Sequence, residues 1–79
     1  MDREEIYQKL VDLMVDQIAI DADDLDENTS LEDDLQVDSL DLLQIVTAIE
    51  DEFNITVDDD VFSTVKTLGE AVDYIKEQL

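Results

Sequence analysis

A chain of 79 residues is expected to form one small domain, 1–79, burying only about 60–65% of its unfolded surface. Its 44% hydrophobic content suffices for a packed core and argues against a disordered acidic tail. Twenty-four acids against four basic residues give a net charge of −20, which excludes nucleic acid, polyphosphate and anionic membrane as ligands and favours basic partners. With neither cysteine nor histidine, the chain has no disulfide framework, no thiolate metal site and no thiol or imidazole catalysis.

Apolar residues recur at helical spacing, and nothing alternates over the length of a strand. The first segment places Ile6, Leu10, Leu13 and Met14 on one stripe, with Gln17 and Ile18 near its end. It opens with Asp2, Glu4 and Glu5 and has no long apolar run, which argues against a secretory signal, a transit peptide or membrane insertion. The expected compartment is the cytoplasm. Residues 21–38 form a long acidic connection, with a turn of helix expected after Ser30 and Leu25, Leu31 and Leu35 available to pin it to the core. The second helix carries Leu42, Ile45, Val46, Ile49 and Phe53 in an i, i+3, i+4, i+7, i+11 series. Asp58 to Val65 suits one short helix with acids in its first turn, where the helix dipole favours them. The last helix repeats the template as Leu68, Ala71, Val72, Ile75 and Leu79, opened by a Thr67/Glu70 capping box. The pattern predicts an all-α fold: a small four-helix bundle of three longer helices and one short third helix.

The second helix has a second face. Leu40, Leu43 and Thr47 lie off its core stripe, with Gln44, Glu50 and Asp51 around them. Leucines ringed by acids resemble a docking patch with an apolar centre and a charged rim; the alternative is that the long loop folds back over them. At the edge of this face stands Ser39. Asp38 is a good N-cap and Asp41 occupies the third helical position, which makes Ser39 the first residue of the helix. No neighbouring base is available to activate a nucleophile there. A helix N-terminus does suit a phosphate ester, because its unpaired N–H groups stabilise an anion. A plainer reading stays open at this point, namely a serine that merely starts a helix.

The stretch "DSLDLLQIVTAIEDEFNI", Asp38 to Ile55, resembles the signature of the acyl carrier proteins of fatty acid and polyketide synthesis. The likeness extends through "TLGEAVDYI", Thr67 to Ile75, and back through "NTSLEDDL" before the signature. The resemblance implies 4′-phosphopantetheine, taken from coenzyme A, on Ser39, with Asp38 and Asp41 flanking it for recognition by a phosphopantetheinyl transferase. It implies a partner face at Leu40, Leu43, Gln44, Thr47, Glu50 and Asp51 that meets the basic surfaces of acyl-transfer, condensing and reducing enzymes. An acyl chain would enter between the aliphatic stripes, an expected pocket of Leu42, Ile45, Val46, Ile49, Phe53, Val57, Val65 and Ala71. The same resemblance implies a monomeric, non-catalytic carrier of type II fatty acid synthesis or a related pathway, its chemistry supplied by the prosthetic group.

The chain departs from the family pattern at Gln36-Val37, where a small pair is usual, and at Gln44, Thr47 and Asp58. These departures bear on partner choice, so a dedicated carrier of polyketide, aminoacyl or other side-pathway groups is the alternative. From another class comes an acidic calcium-binding protein: Asp21, Asp23 and Glu32 match the first, third and twelfth positions of a calcium loop. Leu25 and Asp26 stand where that loop needs a ligand and a glycine, so no specific metal site is expected.

Overall fold

The computed structural model describes residues 2–18, 20–31, 33, 38–58 and 60–79, with the side chains of Ser39 and Phe62 outside the description. Four α-helices follow in order, α1 (Arg3–Ile18), α2 (Ser39–Phe53), α3 (Val61–Thr64) and α4 (Leu68–Gln78), with a 3-10 turn at Ala22–Asp24 between the first two. The expected all-α bundle with a short third helix is therefore present. Expectations placed on Glu32, Leu35, Gln36 and Val37 lie outside the described residues.

One apolar cluster joins all four helices, and α1 packs against both α2 and α4. That double contact widens the buried stripe of α1 to Ile6, Leu10, Val11 and Met14. Val11 replaces Leu13, which is half-buried, and Gln17 is exposed, because a helix wedged between two neighbours buries more than one row. On α2, Ile45, Ile49 and Phe53 are buried while Leu42 and Val46 are half-buried. On α4, Leu68, Val72 and Ile75 are buried, but Leu79 is 55% exposed because the helix ends before it with nothing to pack on.

The long connection is held mainly by its backbone. Leu31 N–H donates to Lys66 O (3.0 Å), Leu68 N–H to Thr29 O (3.2 Å) and Gly69 N–H to Glu27 O (2.9 Å), forming an isolated antiparallel bridge between Ser30 and Thr67. A β-carbon on Gly69 would sit 3.0 Å from that Glu27 oxygen, so the absence of a side chain permits the close approach. Leu25 and Leu31 are buried beneath the connection as expected. Thr29, also buried, accepts Asp26 N–H on its hydroxyl (2.8 Å) and donates that hydroxyl to the Asp26 carboxylate (3.3 Å). The turn after Ser30 is closed by Asp33 N–H on the Ser30 hydroxyl (3.1 Å). Tyr7 adds a bond from its hydroxyl to Leu25 O (3.2 Å), and partial burial, with Asp26 and Glu27 nearby, holds that phenol above its usual range.

Ends of the helices follow local chemistry. Asn54 closes α2 in the left-handed region (φ 56°, ψ 48°), which asparagine tolerates better than most residues. Thr67 accepts Glu70 N–H (3.2 Å), and the Glu70 carboxylate lies 3.5 Å from that hydroxyl, so the capping box closes side chain to side chain. The short third helix corrects one expectation: no acid lies in its first turn. Asp58 and Asp60 precede it, and their carbonyls accept Val61 N–H (3.1 Å) and Ser63 N–H (2.9 Å).

Arg3 and Lys9 tie elements together. The Arg3 guanidinium meets Glu27 and Asp73, each at 2.6 Å, and donates to Gly69 O at 3.3 Å, while Lys9 pairs with Glu52 at 3.3 Å. Such exposed pairs contribute little individually. They cannot offset a net charge of −20, so repulsion among carboxylates is the main avoidable destabilising force. The melting temperature is expected to rise from low salt to physiological ionic strength, and further with millimolar magnesium. A calorimetric melt that does not move with salt would contradict this.

Candidate functional site at the start and outer face of the second helix

Helix α2 begins at Ser39 because Asp38, extended at φ −90° and ψ 179°, turns its carboxylate back onto Asp41 N–H at 2.9 Å. The Asp38 carbonyl accepts Leu42 N–H (3.0 Å), the first bond of the helical ladder. Ser39 is thus the first helical residue, at the positive end of a fifteen-residue helix whose first N–H groups lack intrahelical acceptors. Asp38 is exposed and Asp41 half-buried.

The outer face of α2 is bare. Leu40 is 63% and Leu43 62% exposed, and none of the described loop residues folds over them. Gln44, Thr47 and Asp51 are also exposed, and the Thr47 hydroxyl donates to Leu43 O at 3.0 Å, which turns its methyl and Leu43 into a local apolar step. Between this face and α1 runs a depression of about 380 Å³ bounded by Gln17, Leu43, Gln44, Thr47, Ala48 and Asp51. It continues toward Asp12, Leu13 and Asp16 of α1. The sequence expectations did not include this contribution of α1, because they place Leu13 on the buried stripe and Gln17 near its end; the polar Gln17 was the available signal.

Glu50 differs from its neighbours on the rim. It is half-buried, and its Oε2 accepts Val57 N–H at 3.0 Å, tying the loop that follows α2 back to the helix. The sequence places it on the outer face but gives no hint of this bond.

Across α2, on its inner side, lies a small cleft of about 30 Å³ with an apolar lining. Val46, Ile49, Val57, Val65 and Ala71 line it together with Val61, Tyr74 and Ile75. Leu42, Ile45 and Phe53 are not part of the lining. The cleft sits where α2, α3 and α4 converge, so Val61, Tyr74 and Ile75 enter from elements whose approach no single-helix periodicity specifies. Phe53 and Ile45 instead fill the main core. Among the described residues no group of three or more acids has the arrangement of a metal site, and no helix is long and apolar enough to cross a membrane.

Comparison with known proteins agrees with this geometry. The sequence profile described as "Phosphopantetheine attachment site" matches residues 8–75. An acyl carrier protein of Lactobacillus acidophilus is 43% identical over 76 residues, covering 96% of this chain and 95% of that protein. One from a Picosynechococcus species is 41% identical over 75 residues, covering 95% and 93%. The solved structure of the thermally stable acyl carrier protein from Enterococcus faecalis superposes with a TM-score of 0.81 at 34% identity, each chain covered in full. The fold and the profile match together define a phosphopantetheine-bearing carrier domain. The chain belongs to the acyl carrier proteins, which are non-catalytic carriers with covalently attached 4′-phosphopantetheine.

The residues present fit that group. A phosphodiester at position 39 would stand at the positive end of α2, where the Asp38 carboxylate takes Asp41 N–H and the N–H groups before it lack intrahelical acceptors. Asp38 therefore matters to the site as well as to the helix. Asp38→Ala is expected to cost about 0.5–2 kcal/mol of stability, measured by denaturant unfolding. An unchanged midpoint would show that the cap is not holding the first turn.

Proposed function

We propose that this chain carries acyl intermediates in type II fatty acid synthesis, bound as thioesters to a phosphopantetheine arm on Ser39. The observation that carries the proposal is the position of Ser39, first in a capped helix whose outer face is bare and apolar at Leu40 and Leu43. The arm supplies a terminal thiol, the chemistry that the chain's own residues lack. Ser39 provides the attachment oxygen. Asp38 fixes the turn on which it stands, and Asp38 and Asp41 give the surroundings a negative charge that a basic transferase can recognise.

Leu40, Leu43, Gln44, Thr47 and Asp51 then serve as the docking face for acyl-transfer, condensing and reducing enzymes. Exposed leucines give the contact an apolar centre, and the surrounding carboxylates attract basic partners and raise encounter rates. The inner cleft shelters the cargo between deliveries: each methylene buried there gains about 0.8 kcal/mol, enough to open the closed lining around a chain of medium length. The working unit is a monomer, and the proposed compartment is the cytoplasm.

Incubating the chain with coenzyme A and a phosphopantetheinyl transferase tests the attachment. Peptide mass mapping is expected to place the added group between Val37 and Leu43, and Ser39→Ala is expected to abolish the addition. The group appearing on Ser30 or Ser63, or no addition with any competent transferase, would overturn the assignment.

A further inference from the structure

We propose that Glu50 is a latch on the inner cleft, released when a cation of a docked partner draws its carboxylate away. The inference rests on the reading of α2 as the docking helix and names the residue that couples docking to the cargo space.

Val57, in the loop between α2 and α3, lines the cleft, and its amide and the next one are held by different helices. Val57 N–H is held by Glu50 Oε2 of α2 at 3.0 Å, and Asp58 N–H is held by the Tyr74 hydroxyl of α4 at 3.3 Å. Val57 and Tyr74 both line the cleft, so one residue in each bond belongs to its wall. With both bonds made, the space is only about 30 Å³ and its lining is apolar. Admitting or releasing a chain requires the loop to move, and movement of Val57 breaks the bond to Glu50.

Glu50 also borders the outer face of the helix. It lies seven residues after Leu43 and three after Thr47, on the same outer strip, and is half-buried beside the exposed Asp51. A lysine or arginine drawn to Asp51 comes within reach of Glu50 as well. A charge-assisted pair with such a cation competes with the bond from a neutral backbone N–H. Because the cation meets the Glu50 carboxylate more fully when Val57 has let go, it favours the open loop by its differential affinity for the two states. The main chain at position 50 stays fixed meanwhile, since its carbonyl accepts Asn54 and Ile55 N–H at the end of α2. The side chain moves and the helix does not.

The distinction between a carboxylate and an amide makes this testable. Amide hydrogen exchange at Val57 is measured by NMR in the chain without its arm, for wild type, Glu50→Gln and Glu50→Ala. Each is examined with and without a hexa-arginine peptide at low salt. In wild type the peptide is expected to speed Val57 exchange by roughly tenfold or more, the factor for losing a hydrogen bond to a charged group. Glu50→Ala should exchange that much faster without peptide, and dissolved xenon should then shift the Val46 and Val61 methyl signals more than in wild type. Glu50→Gln should exchange slowly in both conditions, since an amide oxygen holds Val57 but is not drawn by the cation.

Equal Val57 exchange in wild type and Glu50→Ala would overturn the latch, as would peptide acceleration in Glu50→Gln matching wild type. Should Glu50→Ala speed Ile45 and Ile75 amides equally, the whole fold is loosened, and the wild-type and Glu50→Gln comparison decides. None of these readings involves Ser39 or delivery, so their failure leaves the carrier reading intact. Failed modification of Ser39 would leave the latch measurement unaffected.

Discussion

Repulsion among twenty-four carboxylates on a 79-residue chain is the constraint that organises this fold. The core is nearly all aliphatic, and none of the described acids is buried in it, because a buried unpaired carboxylate would cost more than so small a core can offset. The acidic connection between α1 and α2 buries Leu25 and Leu31 in that core and keeps its described acids exposed. It is fixed by backbone bonds to the start of α4, by the Asp26–Thr29 turn beneath it and by Arg3 gripping Glu27. Arg3 and Lys9 are engaged in such joints, and the outer face of α2 carries leucines and acids. A surface of that kind attracts cations from elsewhere.

Helix α2 accordingly works in two environments. Its inner side contributes Ile45, Ile49 and Phe53 to the core, and Ile49 with Val46 also faces the small cleft. Its outer side keeps Leu40 and Leu43 in water, which adds nothing to folding. At its first residue stands Ser39. On the proposed reading, attachment, docking and shelter fall to three surfaces of this one helix, with Glu50 at their boundary.

Much of this was legible in the sequence because it depends on spacing along single elements. The four helices, the Asp38 cap, the division of α2 and the burial of Leu25 and Leu31 are local consequences of pattern and capping chemistry. What the pattern missed depends on how elements meet. Val11 is buried because α1 has two neighbours, and Leu79 is bare because α4 runs past the last partner it has. The bridge between Ser30 and Thr67 pairs residues far apart in the chain, with no alternating strand to announce it. Val61, Tyr74 and Ile75 join the cleft by tertiary approach. Glu50 looks like one more acid on the rim until the returning loop brings Val57 N–H to its carboxylate.

The division of α2 into a core side and a docking side is the claim from which the remaining functional reading descends. It is tested most directly by comparing Leu43→Ala with Ile49→Ala, in melting and in transfer kinetics with a phosphopantetheinyl transferase. Leu43→Ala should change stability by no more than about 0.5 kcal/mol while lowering kcat/KM for transfer. Ile49→Ala should lose about 2–5 kcal/mol. A Leu43→Ala chain that unfolds as readily as Ile49→Ala, or one that accepts the arm at the wild-type rate, would contradict the account.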